Sequence, residues 1–365
     1  MKTVAYVGID YHQSFLAVVV LLEGQPEPID RVKLPNVPKN LKNYFSKLCE
    51  RYFLKTCYEA SSCGYVFYRE MTRWGHSCQV VAPSKIPKKP GDHVKTDFKD
   101  AENLAYQFRN GSLSFVHIPS EEEEAARALI RCRRALKEDC KRVKLRISSL
   151  LKSVGHVYSG SLWTQKHENW LNQVSLLPML DSVLMEYRTQ RVYLENRIAE
   201  LDCQIEALAK TEKYAEKVKT LKTLRGIGTL TAMTLVGELV DISRFPTAKA
   251  LMSFLGLTPS EYSSSTVRRT GRITRAGNAE CCRVLIESAQ HYRRKPYPTQ
   301  AMRDKWTDRP PEQIDHSIRC MKCLHKRYLT LQMRKPKNVA LVAIAREFVG
   351  FIWSLLQPMR PARSA

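Results

Sequence analysis

The sequence has 365 residues, with 59 Lys and Arg against 36 Asp and Glu and a formal net charge of +23. Its 44% hydrophobic content is enough to bury real cores, which excludes an intrinsically disordered chain, and its length suggests two or three domains. The longest uninterrupted apolar run, Phe15 to Leu22, is too short for a bilayer span and the first residues lack a cleavage-site pattern, so a soluble cytoplasmic protein without a signal peptide is expected.

From the N-terminus, "TVAYVGID", "FLAVVVLLEG" and "DRVKLP" read as three strands of an antiparallel meander. Leu41, Tyr44, Phe45, Leu48 and Phe53 recur at helical spacing over 39–53. Then "KTCYEAS" reads as a strand, "YVFYREMTRWG" as a helix stopped at Gly75, "SCQVVAP" as a strand, and 95–110 as a helix. Residues 1–118 therefore form an α/β domain.

Residues 119–215 read as a coiled-coil region. Ser120 followed by four glutamates is a capped helix start, the acids suiting the helix dipole. Leu129, Cys132, Leu136, Val143, Ile147 and Leu150 keep a three-four spacing, as do Leu184, Tyr187, Leu194, Ile198, Leu201, Ile205 and Leu208. Two such helices joined by 152–175, whose aromatics would pack the tip, predict an antiparallel hairpin or a pair that associates between protomers. Residues 216–365 read as an all-helical domain, with a Gly226-Ile227-Gly228 turn between two apolar helices, further helices over 278–292, 311–333 and 338–356, and a proline-rich loop over 295–311.

The charge is uneven. Residues 219–365 carry 26 basic and 10 acidic residues, a net of +16, whereas residues 1–218 carry 33 and 26, a net of +7. A basic surface of that size suits a polyanion such as nucleic acid. Eleven scattered cysteines in a chain this long point to reduced thiols rather than a disulfide scaffold, and the Cys320–Cys323 pair lacks the matching second pair a zinc site would need.

Two groups of residues carry candidate chemistry. Asp10 lies at the end of the first strand, Glu59 on the strand "CYEAS", and Asp97 and Asp100 three apart at a helix start; four converging carboxylates would repel unless they held cations such as Mg²⁺, although Asp97 or Asp100 also fits a helix cap and Asp10 a turn. Ser260, Ser263, Ser264 and Ser265 precede Arg268, Arg269, Arg272 and Arg275. On their own these residues read first as a polar loop whose arginines touch a phosphate backbone, and second as a nucleophile with guanidiniums to neutralise its transition state. The turn at Arg225, Gly226 and Gly228 has the shape of a helix-hairpin-helix phosphate site, or of simple helix packing.

The order of these motifs resembles the DEDD-type insertion-sequence transposases of the "IS one-ten" family, also described as bridge-RNA-guided serine recombinases. The resemblance rests on "YVGIDYHQSF", "CYEASSCGYVFYREM", "VVAPSKIPKKPGDHVKTDFKDAENLA", "LKTLRGIGTLTAMTLVGEL", "RFPTAKALMSFLGLTPSEYSSS", "GRITRAGNAECCRVLIESA" and "VAIAREFVGFIW", in order over nearly the whole chain. It implies a RuvC-like N-terminal domain of RNase H fold, in which Asp10, Glu59, Asp97 and Asp100 bind Mg²⁺. It also implies a helical C-terminal domain that supplies a serine nucleophile. Aligning "EYSSST" with the family's "EYSSGG" gives Ser264 that role, with Ser263 and Ser265 as rivals because Ser265 and Thr266 stand where glycines are expected. The resemblance further implies donor and target DNA, a structured noncoding bridge RNA, and homo-oligomers, dimers and tetramers, in which the acids of one protomer could serve the serine of another. The expected activity is RNA-guided strand exchange through a covalent phosphoserine; the alternatives are a metal-dependent, junction-resolvase-like nuclease and a non-catalytic RNA- or DNA-binding protein.

Overall fold

The computed structural model describes residues 2–87, 96–262, 264, 267, 269–274 and 276–357. The chain forms two compact units, residues 1–119 and 120–365.

The first unit is built on β1 (Val4–Tyr11), β2 (Phe15–Leu22) and β3 (Asp30–Pro35), followed by α1 (Pro38–Arg51), β4 (Phe53–Glu59), α2 (Val66–Arg73), β5 (Cys78–Val81) and α3 (Asp97–Arg109). The sheet order is β3-β2-β1-β4-β5, antiparallel across the first three strands and parallel from β1 to β4 to β5. Side chains alternate across a strand. Ala5, Val7 and Ile9 of β1 face a core closed by Leu41 and Phe45 of α1 and Phe67 and Met71 of α2, while Tyr6 faces Ala105 and Phe108 of α3. With both faces covered, β2 is apolar almost throughout instead of alternating. The predicted first helix ends two residues early: Tyr52 is already extended and Phe53 begins β4, because the parallel ladder to Val4 claims it. Gly75, at φ +80°, stops α2 as the sequence predicts.

The second unit opens with α4 (Glu121–Ser153), α5 (Gln165–Gln173) and α6 (Pro178–Leu208). Ser120 and Glu123 make a reciprocal capping box, so the acidic run is a helix start. Arg133 pairs with Asp202, and farther along α4 Lys144 pairs with Glu195, so α4 and α6 run antiparallel. Cys132, read as part of the seam, is exposed; the buried row is Ala126, Ile130, Cys140, Val143, Ile147 and Leu151. On α6 the buried heptad position between Tyr187 and Leu194 is Arg191, ion-paired to Glu168 and Glu195. The joining segment holds α5, which the sequence does not announce, and the rings of Tyr158, Trp163, His167 and Trp170 pack together at the tip.

The remainder comprises α7 (Glu212–Lys222), α8 (Thr229–Leu239), α9 (Ala248–Phe254), β6 (Pro259–Glu261), β7 (Thr270–Ile273), α10 (Ala279–Ala289), α11 (Gln300–Trp306), α12 (Pro311–Gln332) and α13 (Lys337–Leu356). Two expectations are corrected here. The region is not all-helical, because β6 and β7 form a two-stranded antiparallel hairpin whose short, polar strands leave no apolar period to read. The proline-rich stretch is not all loop, since α11 drives Met302 and Trp306 into the core. Among the described residues, α13 alone is long and apolar enough to cross a membrane, against the sequence expectation, but its residues Ala340, Leu341, Ile344, Ala345, Phe348, Val349 and Ile352 are buried in the helical core.

Candidate functional site

The acids gather because α3 lies directly on β1. Gly8 makes this possible: a Cβ there would sit 2.0 Å from the Ala101 carbonyl oxygen and 2.5 Å from the Ala105 amide nitrogen. Asp10 is two residues farther along the same face of β1, and Asp97 and Asp100 occupy the turn of α3 just before Ala101. Thr96 caps this helix by accepting from the Lys99 amide, so Asp97 and Asp100 are not its caps and their carboxylates face the strand end at a favourable helix N-terminus. Glu59 ends β4. The parallel pair Ile9–Tyr58 precedes it by one residue, and Cys57 faces Leu104 of α3, so alternation puts Glu59 on the α3 face level with Asp10.

Asp10, Asp97 and a residue the sequence reading missed, His12, bring ligand atoms within 4.8 Å of one another. His12 Nε2 lies 3.1 Å from Asp10 Oδ2 and 3.6 Å from Asp97 Oδ1, and Lys33 Nζ lies 3.5 Å from Asp97 Oδ2. Glu59 and Asp100 stand outside this tight triplet. Asp100 is nonetheless close enough to act on Asp10: burial pushes the Asp10 carboxyl above its ordinary value, His12 opposes the rise, and the charges of Asp100 and Asp97 add to it. The donor set fits a hard divalent cation, with oxygen ligands dominant and one imidazole nitrogen in reach. A signal for His12 was present in "GIDYHQSF": it lies in the turn after β1, and its ring packs on Phe15 at 4.6 Å.

In the second unit, Ser264 and Val267 pair backbone to backbone across the hairpin tip, Tyr262 donates its amide to the Arg269 carbonyl, and Glu261 pairs with Thr270. These pairs share one register. The register shifts between Pro259 and Glu261, where Pro259 pairs with Ile273 and a Cβ on Gly271 would meet Ser260 Oγ at 2.4 Å. On the tip side of that shift, alternation puts Tyr262, Ser264 and Arg269 on one face. Ser264, Arg269 and Arg272 are exposed. Ser263, Ser265, Arg268 and Arg275 lie outside the described residues.

The base of the hairpin is held firmly. Thr274 donates its amide to the Thr258 carbonyl at 2.9 Å, and Gly277 runs so close to Leu255 and Gly256 that a Cβ would meet backbone at 2.4 Å. Asn278 accepts from the Cys281 amide to cap α10 and donates to Glu238 at 2.7 Å. Glu238 on α8 is buried and also accepts a two-pronged bond from Arg131 of α4 at 2.7 and 2.8 Å. Asn278 was legible as a helix start, whereas no local pattern singles out Glu238 or Gly277.

The Gly226 turn is corrected in one respect. Arg225 is buried, and its guanidinium donates to the carbonyls of Arg294, Lys295 and Tyr297 at 3.4, 2.9 and 2.6 Å, so it holds the chain after α10 together instead of facing a phosphate. Gly226, at φ +83°, has Ser288 backbone and the His291 ring where a Cβ would be. Gly228 is exposed and begins α8 without a side-chain cap.

Comparison with known proteins agrees with both halves. Residues 218–304 match the model described as Transposase IS116/IS110/IS902 family, and residues 7–156 match a DEDD-type IS110 transposase model. The chain is 32% identical to y4qE of Sinorhizobium fredii, named as a transposase, over 99% of this chain and 90% of that protein. It is 27% identical to the transposase for insertion sequence element IS1533 of Leptospira borgpetersenii, over 92% and 99%, and 24% identical to that for IS1111A of Coxiella burnetii, over 82% and 77%. With its acids gathered at one sheet end and relatives that span nearly its whole length, this chain belongs to the IS110/IS116/IS902 family of insertion-sequence transposases.

Proposed function

We propose that the chain is an RNA-guided DNA recombinase that moves an insertion sequence by strand cleavage and exchange through a covalent phosphoserine. The observation that carries this reading is the joint presence of a carboxylate group at the C-terminal ends of β1 and β4 and an exposed Ser264 at a rigidly based hairpin tip. An RNase H-like, RuvC-type reading of the first unit is supported by the order β3-β2-β1-β4-β5 with its antiparallel and parallel halves.

Asp10 and Asp97, with Glu59, Asp100 and His12 around them, would hold Mg²⁺. When bound, Mg²⁺ supplies charge that offsets the developing negative charge on the phosphoryl, attacking and leaving oxygens. Ser264 Oγ forms a bond to phosphorus as its proton passes to solvent, one P–O bond to deoxyribose breaks, and the leaving oxygen gains a proton to become a hydroxyl. The phosphoserine ester keeps the bond energy, so attack by a hydroxyl from another strand reverses the step and joins new partners. Arg269 beside the tip and Arg272 farther along the ribbon neutralise backbone phosphates.

A structured noncoding bridge RNA would pair with donor and target DNA and read their sequence, and the +16 excess of residues 219–365 suits RNA and DNA held together. Homo-oligomers, dimers and tetramers, belong to the same reading, and α6 exposes apolar residues on two of its sides, Met179 and Val183 on one and Met185 and Val192 on the other. The test mixes protein, its RNA and end-labelled donor and target DNA and resolves the products on a denaturing gel. The expected result is a protein–DNA adduct that Ser264→Ala abolishes. An adduct that persists in this variant sinks the serine assignment, and cleavage with no adduct in any variant favours a metal-dependent, junction-resolvase-like nuclease.

A further inference from the structure

We infer that Tyr262 is a stacking platform for a nucleobase beside the phosphodiester that Ser264 attacks. The inference rests on the Ser264 reading and adds a substrate contact to it. Tyr262 is 79% exposed. It lies on an isolated two-stranded ribbon, where a large aromatic side chain contributes no core packing. Its face is defined by two observations on the tip side of the register shift: the Ser264–Val267 pair and the Tyr262–Arg269 amide bond. Tyr262 and Ser264 therefore point from the same side, two residues or about 7 Å apart along the strand. Arg269 stands directly across from Tyr262, with Cβ atoms about 5 Å apart.

That arrangement matches the parts of a single-strand contact. A π-face takes a base without regard to its identity, and an adjacent guanidinium takes the phosphate. Sequence choice would be left to other elements of the complex, because stacking is tolerant of sequence. The anchored base of the hairpin gives the contact a use. With Thr274 bonded to Thr258 and Gly277 wedged against Gly256, a base held by Tyr262 fixes its neighbouring phosphodiester relative to Ser264 Oγ. Tyr262 would thus contribute mainly once DNA is bound, by orienting it.

The experiment uses the full chain with its co-purifying RNA and a set of duplexes spanning the element's own insertion junction, each with 2-aminopurine at one position. Wild type is expected to quench 2-aminopurine at positions flanking one phosphodiester, Tyr262→Phe to quench equally, and Tyr262→Ala to restore the fluorescence. In the adduct assay at saturating DNA, Tyr262→Ala is expected to slow adduct formation roughly 5- to 150-fold, the equivalent of about 1–3 kcal/mol of base–aromatic stacking, with Tyr262→Phe within about twofold of wild type. Because the side chain is exposed, both variants fold as wild type, which circular dichroism checks. Quenching unchanged in Tyr262→Ala, or lost equally in Tyr262→Phe, overturns the stacking role. The two readings fail separately: quenching that depends on Tyr262 without any adduct removes the serine chemistry alone, and a Ser264-dependent adduct with no Tyr262-dependent quenching removes the stacking alone.

Discussion

Replacing Gly8 with alanine tests how the acid group is assembled. The new methyl would lie 2.0 Å from the Ala101 carbonyl oxygen, against about 3.4 Å for an ordinary contact, and the three nearest atoms it meets all belong to the backbone of α3. No side chain can swing aside, so the helix must retreat by a little over 1 Å. Overpacking of this kind costs about 1–3 kcal/mol. The first turn of α3 carries Asp97 and Asp100, so the retreat also separates Asp97 from Asp10 and His12, whose ligand atoms now lie within 4.8 Å. A small divalent cation demands ligands near 2.1 Å with little tolerance, so affinity should fall on the order of tenfold or more. Titration of the full chain with Mn²⁺, followed by electron paramagnetic resonance, reads the affinity, and denaturant unfolding reads the stability. A Gly8→Ala variant that binds Mn²⁺ within twofold of wild type, with unchanged unfolding, would refute the argument that this contact sets the site.

Other substitutions probe the remaining pieces. Glu238→Ala leaves Arg127, Arg131 and Asn278 without their shared buried acceptor and should cost about 3 kcal/mol in denaturant unfolding, at the low end for a broken buried pair because Arg131 can rehydrate; a loss below 1 kcal/mol would contradict this. Arg225→Ala should destabilise the second unit by about 2–4 kcal/mol while the salt dependence of DNA binding keeps its slope, and a slope lower by about one would restore the phosphate role. Asp10→Asn should stabilise the metal-free protein at neutral pH. The fold raises the Asp10 carboxyl mainly by burial, so wild type is favoured while that group is protonated and loses this advantage as pH rises through the raised value. The two proteins should converge below the ordinary carboxylate range, and added Mn²⁺ should reverse the order by stabilising wild type alone. Thermal melts across pH with and without Mn²⁺ check this, and an Asp10→Asn variant less stable than wild type without metal at neutral pH counts against it.

Much of the architecture was legible because local rules agreed with the tertiary outcome. The meander of β1, β2 and β3, the cap at Ser120 and the α4–α6 pair each follow from periodicity or from a residue whose local geometry admits few alternatives. Asp10, Glu59, Asp97 and Asp100 were legible as types and positions at element ends. The hairpin around Ser264 was not, since its three- and four-residue strands are too short and mostly polar to show a period and gain their shape from the Thr258–Thr274 bond and the Gly277 contact, partners that only a folded chain brings together.

What the sequence by itself determined is therefore the order of elements over residues 1–110, the two long helices and the uneven charge, all properties of near neighbours along the chain. The tertiary structure decided which acids meet, that His12 joins them, that Arg225 turns inward, and that Tyr262 and Arg269 share the face of Ser264. The physical reason is the same in each case. A helix resting on a glycine, a guanidinium finding three carbonyls, and a strand register are contacts between distant segments, and no local pattern encodes which distant partner will be there.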